Sequence, residues 1–264
     1  MQERFVAVVT ACKRYFTTLF TRVFKLIAVN MLFFLVTLPV YLFLMTELNR
    51  LAAMRGLGIV GVLAALLSYA ADGLPNAVKI VLLVLSALLY GPACAGLCRV
   101  TDRYVQQEHA SPASDFFLGA KENAKQAVVT GAIDLLALYA SFQYLFSPEL
   151  LSGMNTLPLR IAWGILSGIY FCYRCFLYPI MVNVELSFGA LLKDALLLGI
   201  LSLPRVLVIV LLVGLLAVGS LYADIVLLPL FGYALLGFTA SSLTYPVLRR
   251  HLYDGATMAQ SRKK

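Results

Sequence analysis

FKLIAVNMLFFLVTLPVYLFLM, residues 24–45, is the stretch that decides the fold. Lys25 is its only charge. At 1.5 Å per residue a helix over it reaches about 33 Å, enough to cross a hydrocarbon core of roughly 30 Å. The run exceeds the apolar region of a secretory leader and no small-x-small cleavage site follows it, so it reads as a span and not as a cleavable signal. Runs of the same kind recur at about 77–98, 127–146, 161–182, 205–223 and 225–248.

Composition agrees. Of the 264 residues, 61% are hydrophobic and 13% charged, against roughly 25% charged in soluble domains. That excludes a soluble enzyme, a disordered chain and a disulfide-stapled secreted domain. The expected fold is all-α: one integral membrane domain over 1–264, a polytopic bundle of about six spans with amphipathic surface helices.

Charge placement sets the topology. The net charge of +8 sits mainly in short segments between apolar runs, with no basic domain outside the membrane, so the lipid bilayer and not nucleic acid is the expected partner. A further apolar stretch, 57–71, reaches only about 22 Å as a helix, short for a crossing. If it does not cross and the N-terminus is cytoplasmic, 16 of the 21 Lys and Arg residues lie inside and three outside. If it crosses, the inside count falls to about 7 and the outside count rises to about 13. Positive-inside bias therefore favours six crossings with both ends cytoplasmic, and 46–76 as an extracytoplasmic or re-entrant insertion.

Two segments read as surface helices. Over 1–23, Phe5, Val8, Val9, Cys12, Phe16 and Phe20 follow a helical, one-sided spacing beside Lys13, Arg14 and Arg22. The readings are an in-plane helix on an anionic leaflet or a cap packed on the bundle. Over 99–126, the turn signal His109-Ala110-Ser111-Pro112 divides two short amphipathic helices on the cytoplasmic face. Ser114 reads as the second helix's N-cap, with Asp115 in its first turn.

Gly91-Pro92-Ala93-Cys94-Ala95-Gly96-Leu97, Tyr104-Val105, Glu108-His109, Ser114-Asp115-Phe116 and Lys121-Glu122-Asn123-Ala124-Lys125-Gln126 together resemble the YesL-like family. The likeness extends to Lys25-Leu26 with Asn30, to Leu203-Pro204-Arg205 and to Tyr245-Pro246. Members commonly carry tryptophan before the Ser-Asp-Phe, where this chain has Ala113, and the segment between Pro39 and Gly91 looks like an insertion. The resemblance implies a bacterial, mostly Firmicutes, multi-pass membrane protein of unknown function. Such genes accompany carbohydrate importers, two-component sensors and polysaccharide-degrading enzymes. It therefore implies an accessory or regulatory part in sugar uptake or sensing, with an ABC importer permease or sensor kinase as partner. It supplies no catalytic residues.

The residues themselves offer three constellations. Asp134 and Arg174 are the charges deepest in spans, each about 10–12 Å in by helix rise. Mutual pairing is the cheapest arrangement for two such charges, ahead of a solute or proton site or of Arg174 snorkelling alone. The surface expected to dock a partner comprises Arg103, Glu108, Ser114, Asp115, Phe116, Lys121, Asn123 and Lys125. Its plain alternative is a seal over the bundle's cytoplasmic face. Gly91 and Pro92 mark a small-residue kink read as close helix packing before a gating hinge, and Gly164 and Gly168 form a G-x-x-x-G read as packing within the chain before a dimer face.

Catalysis is not expected. G-x-S-x-G, H-E-x-x-H and G-x-x-x-x-G-K-[ST] are absent, and Asp134 has no second aspartate at its depth. Cys172-Tyr173-Arg174-Cys175 lies among aromatics without nearby His, so neither a metal nor a cofactor is expected. The spacing of Asp194-Ala195, Gly199 and Pro204 is too tight for the importer permease motif. The first functional reading is the accessory role. A small-solute transporter is the alternative, which requires a polar cavity near mid-membrane. A lipid-interacting structural protein comes third.

Overall fold

The computed structural model describes residues 13–47, 75–146, 156–222 and 232–250, which are helical apart from short turns. The helices are α1 (Lys13–Thr21), α2 (Val23–Val36), α3 (Leu38–Glu47), α4 (Asn76–Val105) and α5 (Pro112–Glu122). They continue as α6 (Ala124–Phe146), α7 (Thr156–Asn183), α8 (Phe188–Leu201), α9 (Leu203–Tyr222) and α10 (Tyr233–Leu248). The insertion 46–76, with its short stretch 57–71, lies almost wholly outside the described residues.

α4 is the central strut, touching α2, α3, α5, α6, α7 and α10. Its second half can be central because it is built of small residues. A Cβ added to Gly91 would sit 1.7 Å from the Ala127 carbonyl oxygen, and one on Gly96 would sit 2.5 Å from that of Phe116. Backbones of α6 and α5 thus lie directly on α4, the close approach that small residues permit in membranes. Around this contact Val100, Tyr104, Phe116, Phe176, Ile180 and Phe238 form the buried core. The opposite halves of the long helices are apolar on most sides and exposed, as at Ile80, Val81, Ile165, Leu211 and Leu215. Helices with no polar face fit lipid, not water, as their surroundings.

Two helices are long and apolar enough to cross a membrane, Ala77–Val105 and Ile161–Asn183. Counting two sharply bent pairs as broken spans makes four among the described residues. The expected run 24–45 is not one helix, because the ladder breaks at Thr37. Pro39 supplies no amide proton there, and the Thr37 hydroxyl donates back to the Phe33 carbonyl at 2.6 Å. The expected spans 127–146 and 225–248 fall on α6 and α10, which over their described residues are not long and apolar enough to cross a membrane.

α1 meets α2 at 69°. Tyr15 donates to or accepts from Thr239 at 2.8 Å, while Arg14 and Arg22 donate to the carbonyls of Val105 and Glu108. The Val105 carbonyl ends α4, where the helix dipole attracts cations, and Glu108 lies in the turn just beyond it. Phe16, Phe20 and Phe24 point outward on the other side. Over Lys13–Thr21 the helix packs on the bundle and leaves Phe16 and Phe20 exposed, while Phe5, Val8, Val9 and Cys12 lie outside the described residues.

Over 99–126 the first expected surface helix does not exist separately. Those residues continue α4 to Val105, and Val100, Thr101 and Tyr104 are fully buried. The chain turns through Gln107 at φ 63°, with Glu108 N–H reaching the Arg103 carbonyl at 2.9 Å. This left-handed residue closes a Schellman-type helix end. α5 then starts at Ser111, not Ser114, because Pro112 suits the first helical position. The Asp115 carboxylate receives the Ser111 N–H at 2.7 Å, acting as the cap from within the helix.

Candidate functional site

α7 carries Tyr170, Arg174 and Tyr178 at four-residue intervals, which places them on one face. That face meets Asp134 of α6 and Tyr90 and Cys94 of α4. Arg174 Nε donates to Asp134 Oδ2 at 3.0 Å, and the Tyr178 hydroxyl donates to the same oxygen at 2.8 Å. The Tyr170 hydroxyl donates to Asp134 Oδ1. Both carboxylate oxygens are thereby satisfied, and the side chain is almost wholly buried at 3% exposure. A carboxylate held by one guanidinium and two phenols is an arrangement that tolerates a low-dielectric setting.

Arg174 is not used up by this pairing. Nη2 donates to the Tyr90 hydroxyl at 2.8 Å and lies 3.7 Å from Cys94 Sγ. The guanidinium carbon sits 5.9 Å and 5.7 Å from the centres of the Tyr90 and Tyr178 rings. Nη1 has no hydrogen-bond partner among the described residues. One-third of the side chain is accessible, because Arg174 walls a cavity of about 230 Å³ between α4, α7 and α10, with Ile209 of α9 and Phe33 of α2 also reaching it. Among the described lining residues Arg174 alone is charged; most of the wall is apolar, including Phe171, Ile209 and Leu236.

A second buried polar cluster adjoins the cavity floor. Asp102 is 2% exposed and has no cationic partner among the described residues. Asn183 Nδ2 donates to its Oδ2 at 2.5 Å and Cys98 Sγ lies 3.8 Å from that oxygen. Ser241 meets the neighbouring Thr101 hydroxyl at 3.1 Å. Cys98 and Ser241 line the cavity itself. No group of three or more metal-ligating side chains occurs among the described residues.

Asp134 and Arg174 pair as their shared depth predicts, whereas Tyr90, Tyr170 and Tyr178 around them are not among the residues expected at the site. The signal was present: tyrosines four residues before and after a lone arginine in a span mark one polar stripe. Asp102 falls in the stretch expected to form a surface helix, and its burial follows only from how α4, α7 and α10 converge.

The expected docking surface separates into two groups. Phe116 is fully buried against α4, and Asp115 is held by Arg103 at 2.6 Å as well as by the Ser111 amide. Arg103 also faces Glu108 at 3.9 Å, and Asn123 donates to the Gly119 carbonyl to end α5. These residues hold α5 in place. Glu108, Ser114, Lys121 and Lys125 remain exposed, next to exposed Phe117 and Leu118. The periodic register placed the inward face of α5 one residue away from where an exposed apolar face lies.

The glycines divide likewise. Gly91 packs against α6, and Pro92 sits inside an unbroken α4. Gly164 and Gly168 have nothing within 4 Å of where a side chain would begin. The expected packing of that motif within the chain is absent among the described residues, since the first half of α7 stands away from the bundle. The Cys172 side chain lies outside the described set.

A family model described as "Protein of unknown function, DUF624" matches residues 26–143. The matched part carries Tyr90, Cys94, Asp102 and Asp134, while Arg174 and the α10 wall lie beyond it. No curated protein and no solved structure matches the chain.

Proposed function

We propose that the protein is a non-catalytic, multi-pass protein of the bacterial plasma membrane that binds a small solute inside its helical bundle, as a transporter or the solute-holding part of one. Six crossings with both ends cytoplasmic remain the topology that charge placement supports. One observation carries the solute reading: the cavity of about 230 Å³ walled by Arg174 and otherwise mostly by apolar side chains. Apolar clefts with a few convergent polar groups are where proteins bind small molecules, and this one lies just below the usual range of about 300–1,000 Å³.

The accessory part in carbohydrate uptake or sensing is the second reading. It rests on the YesL-like resemblance and on Phe117 and Leu118, exposed beside Lys121 on α5. Such a mixed face suits docking of an importer permease or sensor kinase subunit.

Thermal unfolding of the purified full chain against a broad set of small solutes tests the first reading. A binder raises the midpoint in a concentration-dependent way. Ala240→Phe, which puts a ring into the cavity, should abolish the shift while the protein still folds. If no solute shifts the midpoint, or the shift survives Ala240→Phe, the cavity is not a binding site.

A further inference from the structure

We infer that the cavity takes a small monocarboxylate with an apolar or aromatic body, its carboxylate seated on Arg174 Nη1 and the Tyr90 hydroxyl. This rests on the small-solute reading and names the solute's chemistry.

The polar groups that face the cavity point to an acceptor. Arg174 alone is charged among the described lining residues, and its guanidinium is deployed unevenly. Nε serves Asp134 and Nη2 serves Tyr90 and Cys94, so Nη1 keeps two donors that no described residue uses. Tyr90 accepts from Arg174 through its oxygen, which leaves its own hydroxyl proton to donate. A planar carboxylate has two oxygens to meet two neighbouring donors of this kind, and charge-assisted hydrogen bonds to arginine are the strong ones.

The same groups argue against other ligands. Asp134 does not line the cavity, and both its oxygens are occupied by Tyr170, Tyr178 and Arg174. A cationic ligand would find no carboxylate among the described lining residues, since Asp102 beneath the floor is turned to Asn183 and Cys98. A sugar would leave most of its hydroxyls against Phe33, Leu97, Phe171 and Leu236 without partners. An anion is admissible beside Asp134 because that carboxylate draws on two phenols as well as on Arg174. The remaining wall is mostly aromatic and aliphatic, with Ser241 and the cysteine thiols its small polar exceptions, so the body of the ligand is apolar.

Binding by the full chain in detergent is read by isothermal titration and thermal shift with four probe pairs: benzoate and benzamide, hexanoate and hexanamide, benzylamine and cyclohexylamine, glucose and galactose. The carboxylates should bind at least tenfold more tightly than their amides, and the amines and sugars should not bind. Tyr90→Phe removes one oxygen and keeps the ring, so it should fold and weaken benzoate several-fold. Arg174→Lys keeps a charge for Asp134 but loses the fork, and should weaken it tenfold or more. Amides equal to carboxylates, or tight binding of amines or sugars, overturn the carboxylate assignment while leaving the cavity a binding site. Carboxylate binding unchanged in both variants overturns it too. Silence from all eight probes does the same, and Ala240→Phe against the broad solute set then decides whether the cavity binds anything.

Discussion

Gly91 of α4 and Gly131 of α6 face one another with no room for a methyl group. A Cβ on Gly131 would lie 2.4 Å from Gly91 Cα, and one on Gly91 would lie 3.0 Å from Gly131 Cα as well as on the Ala127 carbonyl. Since the obstructing atoms are backbone, they cannot rotate away. This crossing fixes where α6 stands and therefore where Asp134, one turn further along, meets α7.

Gly91→Ala and Gly131→Ala should each destabilise by more than about 3 kcal/mol, beyond ordinary overpacking. Gly164→Ala and Gly168→Ala should change stability by no more than about 0.5 kcal/mol, as open surface positions do. Membrane accumulation and detergent melting measure both. A loss at Gly164 equal to that at Gly91 would mean that another chain covers the outer face of α7.

Breaking the Asp134–Arg174 pair from one side should be worse than removing it. Asp134→Leu strands a guanidinium, and Arg174→Met strands a carboxylate at 3% exposure. Either should lose several kcal/mol, and the double variant should recover part of it. A double-mutant cycle on melting midpoints checks this; strict additivity would show that the two charges are not coupled.

The two buried aspartates should differ in their tolerance of asparagine. Asp102 has neutral partners, so Asp102→Asn keeps an acceptor for Asn183 and should cost less than about 1.5 kcal/mol. Asp134→Asn leaves Arg174 without its counter-charge and should cost more. Equal losses would imply a cation near Asp102.

Gln107 holds φ 63° at the end of α4, a conformation that strains a side chain but not glycine. Gln107→Gly should therefore stabilise by about 0.5–1 kcal/mol, the relief of strain less the chain entropy of glycine. Any destabilisation would mean that the Gln107 side chain makes a contact worth more than that.

Orientation is open to labelling. Ser111 is exposed and makes no side-chain cap, so Ser111→Cys, in a background without the five native cysteines, should be harmless. On the proposed topology an impermeant thiol reagent added to intact cells should not modify it, and should do so once the cells are opened. Labelling from outside would invert the topology and remove the docking reading of α5.

The sequence by itself determined the class of element and its apolar surface, which suits lipid. Runs such as 24–45 and 161–182 are too apolar for water and too long for a soluble core, and helix is the lone-chain conformation that satisfies every backbone group within lipid. It also marked Asp134 and Arg174 as partners, because a lone charge at that depth is prohibitive. Tertiary structure decided the rest. Helical period shows that residues share a face but not what the face meets, so Phe116 and Asp102 read as surface and are core. Whether a small-residue pair is packed or bare depends on which helices converge, which separates Gly91 from Gly164. The cavity is a product of convergence alone: Tyr90, Arg174 and Ser241 come from three helices distant in sequence, and no local pattern states the space left between them.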